Sequence, residues 1–219
     1  VGSIVGLSQV RIKRLLTFST INHVGFLLLA LAVNTEESVE GFAFYLVQYS
    51  LTNVNTFLTI LAFGYITKGI LQNNSSVREF VLLDDLKGQF YKNPLLVISF
   101  SVSLFSMAGI PPLMGFFAKQ MVLYSVSYNY SYVAILAIVM SVISASYYLK
   151  IVQLMFFQKD SAPTILSSEG ETSETGTPLI TSMHSSVIAI LTLMISLYLF
   201  DSSILLNACH LLSLSLFSS

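Results

Sequence analysis

Apolar residues occur along this chain in long runs that are separated by shorter polar segments. A helix needs about 20 apolar residues to cross the hydrocarbon core of a membrane. Runs of this length predict membrane-spanning helices over residues 12–33, 41–66, 132–157 and 179–206. The polar loops of the pattern are 67–93 and 158–178, and residues 1–9 have the character of the end of a preceding helix.

One further apolar run, 94–127, is 34 residues long and does not fit a single straight helix. At about 1.5 Å per residue it would measure roughly 51 Å, against a hydrocarbon core of about 30 Å. It is too short for two spans with a turn, but it contains the sequence "GIPP". Proline lacks an N–H donor and clashes with the preceding helical turn, and glycine tolerates the freed backbone.

We therefore predict one span that is broken at Gly109–Pro112. The residues that form the predicted break are Gly109, Pro111, Pro112 and Gly115. The fold class that follows is an all-α, polytopic membrane helix bundle with about five transmembrane helices in a single membrane domain.

Composition supports a membrane protein and excludes several functional classes. Hydrophobic residues make up 54% of the chain and charged residues 10%, with a mean hydropathy of +0.78, whereas soluble domains carry about 25% charged residues. The net charge of −1 offers no basic face for nucleic acid. The single cysteine, Cys209, excludes a cysteine-held zinc or iron–sulfur site within this chain. We expect no cofactor or metal here, and we expect membrane lipids but no nucleic acid as partners.

The basic residues test whether the run 94–127 crosses the membrane once or twice. With one crossing, nine of the ten basic residues fall on one side: Arg11, Lys13, Arg14, Lys68, Arg78, Lys87, Lys92, Lys150 and Lys159. The opposite side then carries the acidic residues Glu36, Glu37, Glu40 and Asp201. Since basic loops are enriched on the inner side of a membrane, this distribution favours one crossing.

Lys119 is the tenth basic residue, and no other charge lies between Lys92 and Lys150. It follows the predicted break by about two helical turns, which places it at membrane depth. A charged side chain there costs at least about 2.5–3.5 kcal/mol. The ammonium must therefore face a polar interior, pair with a partner or lose its proton. A proton or ion path is our leading interpretation, and a lysine that extends to the membrane surface or forms a static ion pair is the alternative.

Two other predicted spans carry polar residues at helical spacing. The second span places Tyr45, Gln48, Tyr49, Thr52, Asn53 and Thr56 on one continuous face. In the first span, Thr17, Thr20 and His23 project in a similar way. We interpret the longer stripe as a hydrated polar axis, and hydrogen bonding between helices remains the alternative for each of its members.

Two segments resemble the antiporter-like subunits of respiratory complex I and their relatives. They are "QVRIKRLLTFSTINHVGF" (9–26) and "FSMAGIPPLMGFFAKQ" (105–120), and the resemblance extends to about residue 160. It implies two inverted repeats with one broken helix each, of which this chain matches the C-terminal repeat. It also implies that Lys119, Lys13 and His23 take part in proton transfer. Tyr45, Tyr49 and Asn53 fall where some sister subunits carry His, His and Lys.

The resemblance implies a proton-translocating subunit of the membrane arm of complex I, a part of an enzyme without a redox centre of its own. FMN, iron–sulfur clusters and ubiquinone would be bound by other subunits. The implied partners are other membrane-arm subunits, including an N-terminal half of the same subunit if that half is separately encoded. The implied location is the mitochondrial inner membrane, with the basic loops in the matrix. The alternatives are a subunit of a multi-subunit Na⁺/H⁺ antiporter and a non-pumping scaffold.

Overall fold

The structure is a computed structural model and describes residues 1–70, 82–158, 182–198 and 202–217. Within these residues the regular structure is helical. The α-helices are α1 (Gly2–Leu7), α2 (Ile12–Val33), α3 (Glu36–Ile70), α4 (Gln89–Lys92), α5 (Pro94–Ala108), α6 (Met114–Asn129), α7 (Ser131–Phe157), α8 (Ser182–Leu197) and α9 (Ser203–Phe217). A short 3₁₀ helix, Leu83–Leu86, precedes α4.

The predicted break lies between α5 and α6, where residues 109–113 are not helical. Gly109 adopts the left-handed conformation, with a φ of +84°, directly after the last residue of α5. The N–H groups of Gly109 and Ile110 donate to the Phe105 carbonyl at 3.0 and 3.1 Å and so close the last turn. Because the linker then contains two prolines, α5 cannot continue, and the chain restarts as α6.

α3 is longer than the predicted span 41–66, since its first turn begins at Glu36. The preceding residues explain this start. Thr35 N–H donates to Ser38 Oγ at 2.8 Å, and Ser38 N–H donates to Thr35 Oγ1 at 3.3 Å. These reciprocal bonds satisfy amides that a helix start leaves without partners, and Glu36 and Glu37 complement the positive end of the helix dipole.

The single span predicted over 179–206 is corrected by the structure, which has two helices there. α8 ends at Leu197, and α9 begins at Ser203 and continues beyond the predicted end to Phe217. The hydropathy pattern alone shows no interruption between the two helices and therefore predicts a single span. However, the sequence "DSS" at 201–203 consists of residue types that are preferred at helix N-termini, and it is a start signal that the hydropathy pattern hides.

Among the described residues, Ile12–Val33 and Ser131–Phe157 are each long and apolar enough to cross a membrane by length and composition. Pro94–Ala108, Met183–Leu197 and Ser203–Phe217 are shorter apolar helices. The two halves of the broken span, α5 and α6, have 15 and 16 residues. Each is therefore shorter than one crossing and depends on the other half to complete it.

The two polar loops are described only in part. In the loop 67–93, residues 67–70 continue α3, residues 71–81 lie outside the described residues, and residues 83–92 contain the 3₁₀ helix and α4. Of the loop 158–178, the structure describes Gln158 alone. The side of the membrane assigned to Arg78, Lys159 and Asp201 is for this reason an expectation from sequence.

Apolar side chains form two buried clusters at opposite ends of the bundle. The first joins the beginning of α2, α5 and the end of α7, for example through Leu16, Leu104 and Ile151. The second joins the end of α2, the beginning of α3 and α6, for example through Phe26 and Met114. Tyr148 belongs to the first cluster and Tyr45 to the second, and both take part in the polar contacts described below.

Candidate functional site at the helix break

Lys119 lies in α6, and only 6% of its surface is exposed. Its Nζ donates to the Ala108 carbonyl oxygen at 3.0 Å and to Ser141 Oγ at 3.0 Å. Ala108 is the last residue of α5, so its carbonyl belongs to the negative end of that half-helix. The same Nζ lies 5.7 Å from the centre of the Phe26 ring, within the range of a cation–π contact. The ammonium is thus held by neutral groups.

Gly109 leaves the space that the lysine side chain occupies. A Cβ at this position would lie 3.0 Å from Lys119 Cδ and 3.3 Å from Lys119 Nζ. The left-handed backbone of Gly109 also disfavours any other residue. The glycine at the break therefore allows the chain to turn and also leaves room for the lysine side chain.

Ser106 connects the two half-helices to α3. Its Oγ accepts hydrogen bonds from Gln48 Nε2 at 3.2 Å and from the Gly115 N–H at 3.2 Å. The Gly115 amide is one of those that the start of α6 leaves without a helical partner, and Ser106 satisfies it. A Cβ on Gly115 would overlap the Ser106 carbonyl oxygen, which shows how closely α5 and α6 approach each other here.

His23 is the centre of a buried hydroxyl cluster that joins α2, α3 and α7. Its Nδ1 lies 2.7 Å from Tyr45 Oη, and its Nε2 lies 3.1 Å from Tyr148 Oη. The hydroxyl of Tyr148 is also hydrogen-bonded to Ser19. The His23 ring stacks on Tyr49 with a centroid separation of 4.8 Å. Every polar group in the row Ser19–Tyr148–His23–Tyr45 is able both to donate and to accept hydrogen bonds, which is what proton relay requires.

The predicted polar face of α3 is only partly turned toward the interior. Tyr45, Gln48 and Thr52 are buried. Tyr49 and Asn53 are half-buried on the flank of the helix, where Asn53 Nδ2 donates to Tyr49 Oη at 3.3 Å. The helix thus directs part of the predicted stripe inward and leaves two members at its edge.

Lys13 lies in the first turn of α2 and is exposed. Lys13 and His23 are ten positions apart in sequence, which separates them by about 15 Å along the helix. The structure therefore brings His23 and Tyr45 together around one cluster and places Lys119 beside the break, whereas Lys13 lies at the basic end of α2.

Several residues of the site were not predicted from sequence. Ser141, Tyr148, Ser106 and Phe26 contact the predicted residues directly, and Ser19 bonds to Tyr148. A signal was present for some of them. Ser99, Ser103 and Ser106 follow the spacing i, i+4 and i+7 in α5, and Ser141 and Tyr148 are seven residues apart in α7. Each set therefore lies on one helix face.

A helix broken at membrane depth beside a buried lysine and a polar cluster is the architecture of a membrane transport subunit. A family model described as "NADH:quinone oxidoreductase/Mrp antiporter, TM" matches residues 1–144. The chain belongs to this family of membrane-embedded subunits. The resemblance noted from 9–26 and 105–120 is thereby confirmed, and so is the prediction of an all-α membrane bundle.

Curated relatives show which members of the family the chain is similar to. The chain is 49% identical to NADH-ubiquinone oxidoreductase chain 2 of Rhizopus oryzae, over 99% of this chain and 44% of that protein. It is 38% identical to the protein of the same name from Metridium senile, over 74% of this chain and 39% of that protein. The chain therefore spans less than half the length of these relatives.

Solved structures share the fold. A chain of respiratory complex I from Thermus thermophilus with bound aureothin matches with a TM-score of 0.67 and 28% identity, over 93% of this chain and 42% of that chain. A chain of the Mrp complex from Dietzia sp. matches with a TM-score of 0.76 and 19% identity, over 99% of this chain and 45% of that chain, a likeness of fold alone.

Proposed function

We propose that this chain is part of a proton-translocating subunit in the membrane arm of complex I, in the mitochondrial inner membrane, with its basic loops in the matrix. Quinone reduction elsewhere in the complex supplies the energy. FMN, iron–sulfur clusters and ubiquinone are bound by other subunits. The partners are other membrane-arm subunits, together with membrane lipids. The 49% identity to a NADH-ubiquinone oxidoreductase chain supports this assignment.

The burial of Lys119 among neutral partners is the observation that carries the proposal. An ammonium paired with a buried carboxylate is difficult to deprotonate, because the loss of its proton leaves the carboxylate charge uncompensated. Lys119 instead bonds to a carbonyl and a hydroxyl. Its charged form is stabilised by these two contacts, and its neutral form leaves no charge behind. Both protonation states are therefore accessible to the same site.

The helix break provides a way to couple the proton on Lys119 to movement. The Ala108 carbonyl ends α5, whereas Lys119 belongs to α6. A small displacement of one half-helix against the other would change the 3.0 Å contact between the carbonyl oxygen and Nζ. Because that contact favours the charged lysine, its loss releases the proton and its return favours uptake.

The His23 cluster supplies the path between helices. His23 accepts or donates at either ring nitrogen, and the hydroxyls of Tyr45 and Tyr148 transfer protons without a lasting charge of their own. Gln48, Thr52, Tyr49 and Asn53 continue the polar axis along α3. Since tyrosine and asparagine stand where some sister subunits carry titratable residues, transfer along this face uses hydroxyls and water. Lys13 takes part in proton transfer at the basic end of α2.

An antiporter subunit is the second candidate, because the description of the family model that matches residues 1–144 includes the Mrp antiporter. The two functions differ in the ion that moves and in the partners. A complex I subunit co-purifies with flavin and iron–sulfur subunits, and its pumping follows NADH oxidation. An antiporter subunit exchanges Na⁺ for H⁺ without NADH.

Replacement of Lys119 by Met tests the proposal. Methionine keeps an unbranched side chain of similar length and removes the titratable group. We expect normal assembly and fewer protons translocated per electron, measured in membrane vesicles that oxidise NADH. Lys119→Arg should lose pumping as well, because a guanidinium keeps its proton.

Lys150→Met is the matched control, since Lys150 is exposed at the far end of α7. It should assemble and pump normally. If Lys119→Met assembles and pumps like the unchanged protein, Lys119 has a structural role and the scaffold alternative is favoured instead.

A further inference from the structure

A second buried polar cluster joins α3, α5 and α8, on the side of the break where α5 begins. Asn55 is fully buried at its centre. Its Nδ2 donates to Ser103 Oγ at 2.8 Å and approaches Ser99 Oγ at 3.4 Å. Ser99 Oγ in turn lies 2.7 Å from Thr192 Oγ1. The Lys119 and His23 contacts described above do not include this cluster.

The hydrogens of this cluster are already engaged. Ser103 Oγ donates to the Ser99 carbonyl at 3.2 Å, and Thr192 Oγ1 donates to the Ile188 carbonyl. Ser99 then donates to Thr192, and Asn55 Nδ2 donates to the serines. In contrast, the acceptor Asn55 Oδ1 is buried and has no hydrogen-bond partner among the described residues. An unsatisfied buried carbonyl costs about 1–3 kcal/mol, so this position calls for a hydrogen-bond donor.

Water is the donor that fits. The side chains of the cluster are all neutral, so a bound cation would place an uncompensated charge inside the bundle, which is far more costly than a neutral ligand. A buried water typically makes about three hydrogen bonds to polar groups that lack partners. Asn55 Oδ1 supplies an acceptor for it, and the oxygens of Ser99 and Thr192 lie beside the amide.

We infer that Asn55 binds a buried water, and that this water and the serines of α5 form a hydrated branch of the polar axis. Ser99, Ser103 and Ser106 lie on one face of α5 and are all buried. At the break, Ser106 Oγ accepts hydrogen bonds from the Gln48 side chain and from the Gly115 amide. The branch therefore runs from the beginning of α5 to the break and supplies protons to the level of Lys119. This inference rests on the function proposed above.

Two measurements on the assembled membrane complex that contains the chain test the branch. The first is cryo-electron microscopy at a resolution that shows ordered water, which should reveal density within hydrogen-bond distance of Asn55 Oδ1. The second is proton translocation per electron in Asn55→Leu, whose side chain is of similar size but has no acceptor. We expect the density to disappear and pumping to fall at normal assembly.

A double variant, Ser99→Ala with Ser103→Ala, repeats the test if Asn55→Leu does not assemble, because it interrupts the branch and keeps the amide. Ser50→Ala is the matched control. Ser50 lies on the exposed face of α3, and its hydroxyl bonds within the helix, to the Leu46 carbonyl at 2.8 Å, so this variant should change neither result.

Different outcomes separate this inference from the proposed function. If Lys119→Met loses pumping but the assembled Asn55 or serine variant does not, the branch is overturned and the proposed function stands. If neither loses pumping, both are overturned. Absence of the density, or pumping that depends on sodium concentration, would also overturn a water-filled branch.

Discussion

Replacement of Gly115 by Ala is expected to prevent the two half-helices from closing at the break and to abolish assembly of the subunit. The added Cβ would overlap the Ser106 carbonyl oxygen and lie 2.6 Å from the Ser106 carbonyl carbon and 3.0 Å from Gln48 Nε2. Two of these atoms are backbone and cannot rotate away. Overpacking in a core costs about 1–3 kcal/mol when side chains adjust, and a clash with backbone exceeds that range. The measurement is the amount of assembled complex in membranes.

Gly25→Ala is the matched control for this effect. Gly25 lies in α2, and a Cβ there would meet nothing within 4 Å. Alanine also favours helix over glycine by about 1 kcal/mol, so this variant should assemble at least as well as the unchanged chain. Normal assembly of Gly115→Ala would show that α5 and α6 are not held as closely as the structure places them.

The helix break could be predicted because it follows from a length that no regular element fits. The apolar run 94–127, with its 34 residues, is too long for one span and too short for two, and the prolines mark the position of the break. Lys119 could be singled out for a similar reason, since a charge at membrane depth needs an explanation. Such arguments depend on the membrane as a solvent and require no knowledge of the neighbouring helices.

The orientation of the polar face of α3 could not be predicted in the same way. Asn53 and Asn55 are both polar residues of one helix, yet Asn53 is half-buried and Asn55 is fully buried. The difference is set by α5 and α8, which present Ser103 and Thr192 to Asn55. Sequence spacing defines a stripe on α3, but only the packing partners decide which edge of the stripe faces inward.

Tyr148 was missed because α7 is apolar along most of its length, and the spacing of Tyr148 from Ser141 is a weak signal in such a helix. α7 is among the most apolar helices of the chain, and a tyrosine within such a helix is ordinarily assigned to the membrane interface. In the structure Tyr148 is fully buried and bonds to His23 and Ser19. Its role depends on contacts that are more than a hundred residues apart in sequence, which local periodicity does not reveal.

Replacement of His23 by Leu is expected to destabilise the subunit by about 2–4 kcal/mol, because it leaves buried hydroxyls without their partner. Tyr45 loses its 2.7 Å contact, and Tyr148 loses its 3.1 Å contact but keeps Ser19. The measurement is the thermal stability of the purified complex and its assembled amount. Adding Tyr45→Phe to His23→Leu should recover part of the loss, since the double change removes both partners of the stronger contact.

His23→Gln separates the structural role of the residue from proton transfer. Glutamine has both a donor and an acceptor, so it can replace the hydrogen bonds to the tyrosines, but it does not titrate. If His23 relays protons, this variant assembles and translocates fewer protons per electron, whereas its NADH oxidation in uncoupled membranes is retained. If His23 only connects α2, α3 and α7, the variant pumps normally. In that case the path from the basic end to Lys119 must rely on hydroxyls and water alone.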